Sequence, residues 1–266
     1  MKKTKISIIG CGNIGLSILQ GIIKSGSVEK SNLIVTRRNI NELDHWKNKG
    51  ILITSDNAEA VRAGNLIIIA VKPYNFKNVL SGIRNHLQPR KHILISLTAG
   101  INIAEIRKIV PVSIPVFRVM PNISASVAGS ISCICYDHAS KRECEKVSAL
   151  FTLLGTSMFI GEELMDSATI LGACGIAYTL RFIRAMTQAG IQIGFDSKTA
   201  NAIVNQTVRG AAELLIENKQ HPEFEIDKVT TPRGCTIVGL NEMEHNGFSS
   251  SLIKGIVASF EKCISD

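Results

Sequence analysis

Apolar positions in the first 160 residues fall into short unbroken runs, separated by stretches in which they recur every three or four residues. A run such as Leu66-Ile67-Ile68-Ile69-Ala70-Val71 is too short for a helix, and its β-branched residues suit a strand buried on both faces. Strands are expected at 5–9, 33–36, 51–53, 66–71, 92–96 and 114–118, with further extended segments at 130–136 and 155–160. Helical periods lie between most of them, at 13–25, 41–49, 57–63, 75–85, 102–109 and 140–153. Such alternation predicts an α/β fold with a parallel, doubly wound sheet. From about residue 162 only helical periods remain. One covers 164–190 and contains the small-residue run Gly172-Ala173-Cys174-Gly175. A second follows a cap at Asp196 or Ser197, with the stripe Ala200, Ile203, Val204, Thr207, Val208, Ala211, Ala212 and Leu215. A third begins after Thr231-Pro232-Arg233-Gly234 and stops at Gly247, and the last spans 249–262.

The turn after the first strand changes the picture from a fold to a binding site. Gly10, Gly12 and Gly15 stand in the spacing G-x-G-x-x-G, within Gly10-Cys11-Gly12-Asn13-Ile14-Gly15, between a strand and a helix. Glycines so placed permit a tight turn, a close approach of pyrophosphate and close helix–strand packing. The helix N-terminus from Asn13 favours the phosphates' negative charge. Residues 1–161 are therefore expected to form a Rossmann-type dinucleotide-binding domain, followed by a helical domain over 162–266. At the end of the second strand, where NAD sites place an acid, stand Thr36, Arg37 and Arg38. Guanidinium groups can bind a 2′-phosphate that a carboxylate would repel. NADPH is the expected cofactor, with NADH possible.

Composition narrows the classes. The 266 residues are 45% hydrophobic and 20% charged, as in an ordinary globular protein. The net charge of +8 is uneven: residues 1–160 hold 21 Lys/Arg and 9 Asp/Glu, and residues 161–266 hold 9 and 13. No aromatic-studded basic groove accompanies the basic half, so nucleic acid is not an expected partner. The charge-free apolar stretch at 167–180 is too short to span a bilayer, and Met1-Lys2-Lys3 runs directly into the first strand. A cytoplasmic location without membrane association is expected. The seven cysteines form no C-x-x-C pair and the six histidines no ligand spacing. Reduced thiols and no metal site are expected.

Ligands of doubly wound sheets collect beyond the C-terminal strand ends. Those ends carry Val71-Lys72-Pro73, Ser96-Leu97-Thr98-Ala99-Gly100 and Arg118-Val119-Met120-Pro121-Asn122. With Ile9 through Gly15, Asp56-Asn57 and the run from His221-Pro222 to Val229-Thr230-Thr231-Pro232-Arg233-Gly234-Cys235-Thr236-Ile237, upstream of Gly247-Phe248, these segments resemble the pyrroline-5-carboxylate reductase family nearly end to end. The resemblance implies an N-terminal Rossmann domain, an all-helical C-terminal dimerisation domain, and an active site between them completed by a second subunit. It implies NAD(P)H-dependent reduction of a cyclic imine to proline, with a small imino acid as substrate and a homodimer or larger homo-oligomer. Carried over, the cofactor residues are Gly10, Gly12, Asn13, Ile14, Gly15, Thr36, Arg37, Arg38, Asn57, Val71, Lys72, Pro73, Ala99, Gly100 and Asn122. The substrate residues are Gly175, Thr231, Gly234, Cys235 and Thr236. Backbone N–H groups at 234–236 would cradle the carboxylate, and the Thr236 hydroxyl would serve the ring nitrogen as the catalytic group. Ser and Thr also cap helices routinely, which is the alternative role for Thr231 and Thr236.

Three segments depart from the family pattern. The usual Ser-Gly-Ser-Gly-Pro-Ala-Tyr is here Gly172-Ala173-Cys174-Gly175-Ile176-Ala177-Tyr178. Pro-Gly-Gly-Thr-Thr becomes Pro232-Arg233-Gly234-Cys235-Thr236, and Ser-Ile-Ala-Ala-Gly becomes Ser96-Leu97-Thr98-Ala99-Gly100. The alternatives are a paralogue acting on another cyclic imine or carbonyl acid, and a catalytically silent NADP-binding regulatory protein.

Overall fold

The computed structural model describes residues 1 and 3–265; Lys2 and Asp266, at the extremes of the expected organisation, lie outside the described residues. The apolar runs form strands β1 (Ile6–Ile9), β2 (Leu33–Thr36), β3 (Leu52–Thr54), β4 (Leu66–Ile69), β5 (Ile93–Ser96), β6 (Val116–Met120), β7 (Ser130–Asp137) and β8 (Gly155–Phe159). They lie in one sheet in the order β3-β2-β1-β4-β5-β6-β7-β8. β1 to β6 are parallel, with Ile6 opposite both Leu33 and Leu66.

The expectation of a parallel sheet needs one correction. β7 runs antiparallel to β6, with Phe117 opposite Tyr136, and only β8 returns to parallel pairing, with β7. The link between β6 and β7 holds only a short 3-10 turn, Ile123–Val127, and a parallel return needs a crossover of a dozen or more residues.

Helices α1 (Asn13–Ser25), α2 (Asp44–Lys47), α3 (Asn57–Ala63), α4 (Pro73–Ile83), α5 (Ile103–Arg107) and α6 (Lys141–Thr152) fill the gaps. Two clusters of buried side chains cover the two faces of the sheet, as continuous apolar strands require. On one face, Ile18, Leu19 and Ile22 of α1 and Val147, Leu150 and Phe151 of α6 meet Ile6, Ile8, Ile68 and Phe117. On the other, Phe76, Leu80 and Ile83 of α4 and Ile103 and Ile106 of α5 meet Ile9, Ile67, Ile69 and Leu94. Cys133 and Cys135, alternating on β7, are buried in this second cluster. The expected helix at 41–49 is a 3-10 turn, Ile40–Leu43, followed by the single turn of α2.

The rest is helical: α7 (Met165–Ala168), a π-helical stretch (Thr169–Cys174), α8 (Gly175–Gln192), α9 (Ser197–Asn218), α10 (Pro222–Lys228), α11 (Cys235–His245) and α12 (Phe248–Ser265). The periodicity did not predict α10, a seven-residue helix with no apolar stripe; its sequence signals are the His221 cap and Pro222 in the first turn. The chain divides into two compact units, Met1–Ala173 with the C-terminal end from Lys262, and Cys174–Glu261. The sequence pattern changes earlier, at 161/162. Polar contacts from Arg118, Ile103 and Asn122 hold residues 162–173 within the first unit. Arg118, 4% exposed on β6, pairs through Nη1 with Glu162 Oε1 at 2.7 Å, and the same oxygen accepts the Ile103 N–H at 2.7 Å. Asn122 Nδ2 donates to the Gly172 carbonyl of the π-helical stretch at 2.9 Å. Among the described residues no helix is long and apolar enough to cross a membrane, and no His/Cys/Asp/Glu group could hold a metal ion.

Within the first unit, α1 packs against the 3-10 turn that follows β6. A Cβ at Gly21 would overlap the Ala125 carbonyl oxygen and lie 2.6 Å from Leu154 Cδ2. Gly21→Ala should destabilise the protein by about 1–3 kcal/mol, the usual cost of overpacking. Gly82→Ala, at an exposed position of α4 with open space around it, should instead be neutral or stabilising. Thermal melts of the two variants check this, since the signs of the shifts are opposite.

Candidate active site

The strand order turns back at β1, whose neighbours are β2 and β4, and this is the switch point where α/β sheets bind ligands. An open cleft of about 400 Å³ lies there. Its walls include Gly10, Cys11, Gly12, Thr36, Arg37, Arg38, Asn57, Val71 and Lys72.

The three glycines do three different things. Gly10 has φ +88°, in the region that favours glycine, and an added Cβ would overlap Val71 Cγ1 and lie 3.1 Å from the Ala70 oxygen. Gly12 is extended, and a Cβ there would meet nothing within 4 Å. That open space in front of α1 is the room a pyrophosphate needs, and no side chain caps the helix in its place. At Gly15 a Cβ would lie 2.9 Å from the Gly10 oxygen and 3.4 Å from Ile8 Cγ2, so its absence lets α1 approach β1.

Thr36 is buried at the end of β2, where its hydroxyl braces this loop. Oγ1 accepts the Gly10 N–H at 3.3 Å and donates to Asn57 Oδ1 at 2.6 Å, while its carbonyl accepts the Cys11 N–H at 2.8 Å. Arg37 Nη1 donates to the Cys11 carbonyl at 3.0 Å and Nη2 pairs with Glu42. Arg38 Nη2 donates to Asn75 Oδ1 at 2.8 Å. Cys11 lies within the loop, but burial pushes its thiol up to about 12, outweighing the pull of the Arg37 charge, so it stays protonated and unreactive near neutral pH. Asn39, Glu42, Ser55 and Asn75 also line the cleft. Reading along the chain missed them because turns bring them back to it; Asn75, two residues past Pro73, carried the clearest signal.

Of the remaining expected cofactor residues, Lys72 belongs to the cleft wall and the others stand elsewhere in the first unit. Asn13 and Ile14 form the first turn of α1, Lys72 caps α4 and Pro73 opens it. Ala99 packs partly buried on the α4–α5 core, and Gly100 has φ +72° at the turn after β5. Asn122 is buried and its side chain is committed. Oδ1 accepts the Ser124 N–H at 3.0 Å while Nδ2 holds Gly172. Its place in the structure is that of a brace between the β6–β7 turn and the π-helical stretch.

The expected substrate residues lie in the second unit. Gly175 opens α8. The Gly234 N–H donates to the Thr231 carbonyl at 2.9 Å, closing a turn that leads into α11. Gly234 is the N-cap, Cys235 the first helical residue, and the side chain of Thr236, exposed in the first turn, makes no hydrogen bond among the described residues. Arg233 is exposed at φ +60°, a conformation L side chains rarely adopt. The alternative capping role therefore does not describe Thr236.

Two family models match different parts of the chain. Residues 162–265 match the family model for pyrroline-5-carboxylate reductase dimerisation, and residues 5–100 that for NADP oxidoreductase, coenzyme F420-dependent. A relative from Dictyostelium discoideum, pyrroline-5-carboxylate reductase 2, is 42% identical over 97% of this chain and 91% of its own. Pyrroline-5-carboxylate reductase 1 of the same organism is 39% identical over 98% of this chain, which spans 49% of that relative's length. The crystal structure of Plasmodium falciparum pyrroline carboxylate reductase with NADP bound superposes with a TM-score of 0.90 at 28% identity, covering 99% of this chain and 98% of that one.

The Thr36 hydroxyl yields a direct test. Thr36→Val keeps the shape but leaves the half-buried Gly10 N–H without its acceptor and Asn57 Oδ1 without its donor, which should cost about 1–3 kcal/mol. Thr36→Ser should recover part of the loss. Urea unfolding of the two variants measures both; equal stability of Thr36→Val and the parent would remove the hydroxyl from the loop's support.

Proposed function

The chain belongs to the pyrroline-5-carboxylate reductase family, and from that membership we propose that it reduces 1-pyrroline-5-carboxylate to L-proline with NADPH, NADH also being accepted. The observation that carries the cofactor half of this reading is the open space at Gly12 before the uncapped N-terminus of α1. The protein is an oxidoreductase; the proposal adds the bond it acts on, a ring C=N.

Bound NADPH supplies a hydride to the imine carbon, and a proton completes the amine at nitrogen. The protein's own part is placement, which can contribute most of the barrier reduction for two reactants held at attack distance. Gly10, Gly12 and the first-turn amides of Asn13, Ile14 and Gly15 receive the pyrophosphate. Arg37 and Arg38 receive the 2′-phosphate, with Thr36 and Asn57 fixing the loop between them. Val71, Lys72 and Pro73 form the wall at the β4–α4 turn, and Ala99, Gly100 and Asn122 shape the neighbouring strand ends. On the substrate side, the turn from Thr231 to Gly234, closed by the Gly234 N–H, turns the N–H groups of Cys235 and Thr236 to the carboxylate, Gly175 gives it close approach, and the Thr236 hydroxyl bonds the ring nitrogen. A homodimer is part of the proposal. Exposed apolar side chains on α9 (Ile203, Leu214, Ile216) and α12 (Leu252, Ile253, Val257) suit burial against a second copy.

A second reading is favoured by Arg233, which keeps a left-handed backbone without being glycine. A guanidinium beside the carboxylate turn would suit a cyclic imine bearing a second acid group. Loss of NADPH absorbance with 1-pyrroline-5-carboxylate, against a panel of other cyclic imino acids including dicarboxylic ones, separates the two. Oxidation of NADPH by none of them would leave only the silent binding protein.

Two variants test the parts separately. Gly12→Val should abolish NADPH binding in isothermal titration while leaving circular dichroism unchanged, because the added side chain fills space without straining an extended residue. Thr236→Ala should lower kcat by about 10²-fold, the low end for a positioned acid–base group, with NADPH affinity unaltered. A parallel loss of cofactor affinity would return Thr236 to a structural role.

A further inference from the structure

No carboxylate stands beside Thr36 in sequence, but the fold returns one to the same end of the cleft. Glu42 lies on the 3-10 turn after β2 and lines the cleft with Arg37, Arg38 and Asn57. One carboxylate oxygen pairs with Arg37 Nη2 and the other accepts Asn39 Nδ2 at 3.2 Å. The two side chains are 48% and 28% exposed, so the pair sits at a rim that a ligand can reach. The other end of the same guanidinium, Nη1, is bonded to the Cys11 carbonyl. Arg37 is thus held at both ends, by the glycine loop and by a counter-charge. Among the described residues, Arg38 is bonded to the neutral Asn75 amide and to no carboxylate.

We propose that Glu42 sets cofactor discrimination, its carboxylate holding Arg37 back from a 2′-phosphate and so keeping the cleft open to NAD(H) as well as NADP(H). The proposal rests on the cofactor reading given above. A 2′-phosphate arriving at this rim must share Arg37 with an existing charge-assisted bond and meets a like charge beside it. A ribose 2′-hydroxyl has neither difficulty, and it can donate to a carboxylate as it does to the acid of an NAD site. Removing the charge while keeping the shape should therefore move the ratio of the two affinities rather than binding as a whole.

The test is isothermal titration of NADP⁺ and NAD⁺, without imine substrate, into the full chain and its Glu42→Gln, Arg37→Ala and double variants. The two ligands differ only by the 2′-phosphate. Glu42→Gln keeps an acceptor for Asn39 on an exposed turn, and circular dichroism checks that it folds as the parent does. NADP⁺ should bind Glu42→Gln about tenfold tighter, the scale of one charge-assisted hydrogen bond, while NAD⁺ binding holds or weakens. In the Arg37→Ala background the gain should largely vanish. A purely structural role would move both ligands together, and that result overturns the proposal, as does an unchanged or weakened affinity for NADP⁺. A full gain persisting without Arg37 also overturns it. In each of these cases the cofactor reading stands, because the parent still binds. A parent that binds neither ligand overturns that reading and this proposal with it.

Discussion

A side chain at residue 15 would press within 2.9 Å of the carbonyl of Gly10, so α1 can lie against β1 only because that position carries none. This close approach fixes where the helix begins, and hence where its unpaired N–H groups point. The sharp left-handed turn at Gly10 and the open space at Gly12 follow from the same constraint, since the chain must reverse within a few residues of β1. Thr36 then locks the loop from the neighbouring strand, through its hydroxyl on one side and its carbonyl on the other. A phosphate-sized space before a helix N-terminus is the product of these contacts.

The charges around that space are arranged in a chain rather than scattered. Cys11 carbonyl, Arg37, Glu42 and Asn39 are joined by successive hydrogen bonds or ion pairs along the rim, and Arg38 is tied to Asn75 on α4. Each partner orders a long side chain before a ligand arrives, which lowers the entropy cost of binding. The same partners set what the ligand must displace. The second unit carries a tight turn leading into α11, with Cys235 and Thr236 exposed in its first turn.

Much of this was legible along the chain because strands buried on both faces read as unbroken apolar runs. β4 and β5 are fully buried, and their sequence runs show it directly. The glycine spacing was equally plain, since each glycine answers a separate steric demand. What escaped depends on distances in space. The antiparallel β7 follows from the shortness of its link to β6, not from its own pattern, and α10 lacks the apolar stripe that marks longer helices. Thr36 was legible as a non-acidic residue, but its role as a brace needed the Gly10 amide beside it. Glu42 returns to the cleft through a 3-10 turn that periodicity read as part of a helix. Arg233 shows the converse: where the family pattern has glycine, this chain holds an L residue in a left-handed backbone, at a cost of roughly 1–2 kcal/mol.

The loop from Gly10 to the first turn of α1 is proposed to receive the cofactor's phosphates. Amide hydrogen exchange with and without saturating NADP⁺ measures this residue by residue. Exchange should slow at residues 10–16 and at 36–39 around Arg37. Saturated binding with no change at 10–16 would contradict the proposal.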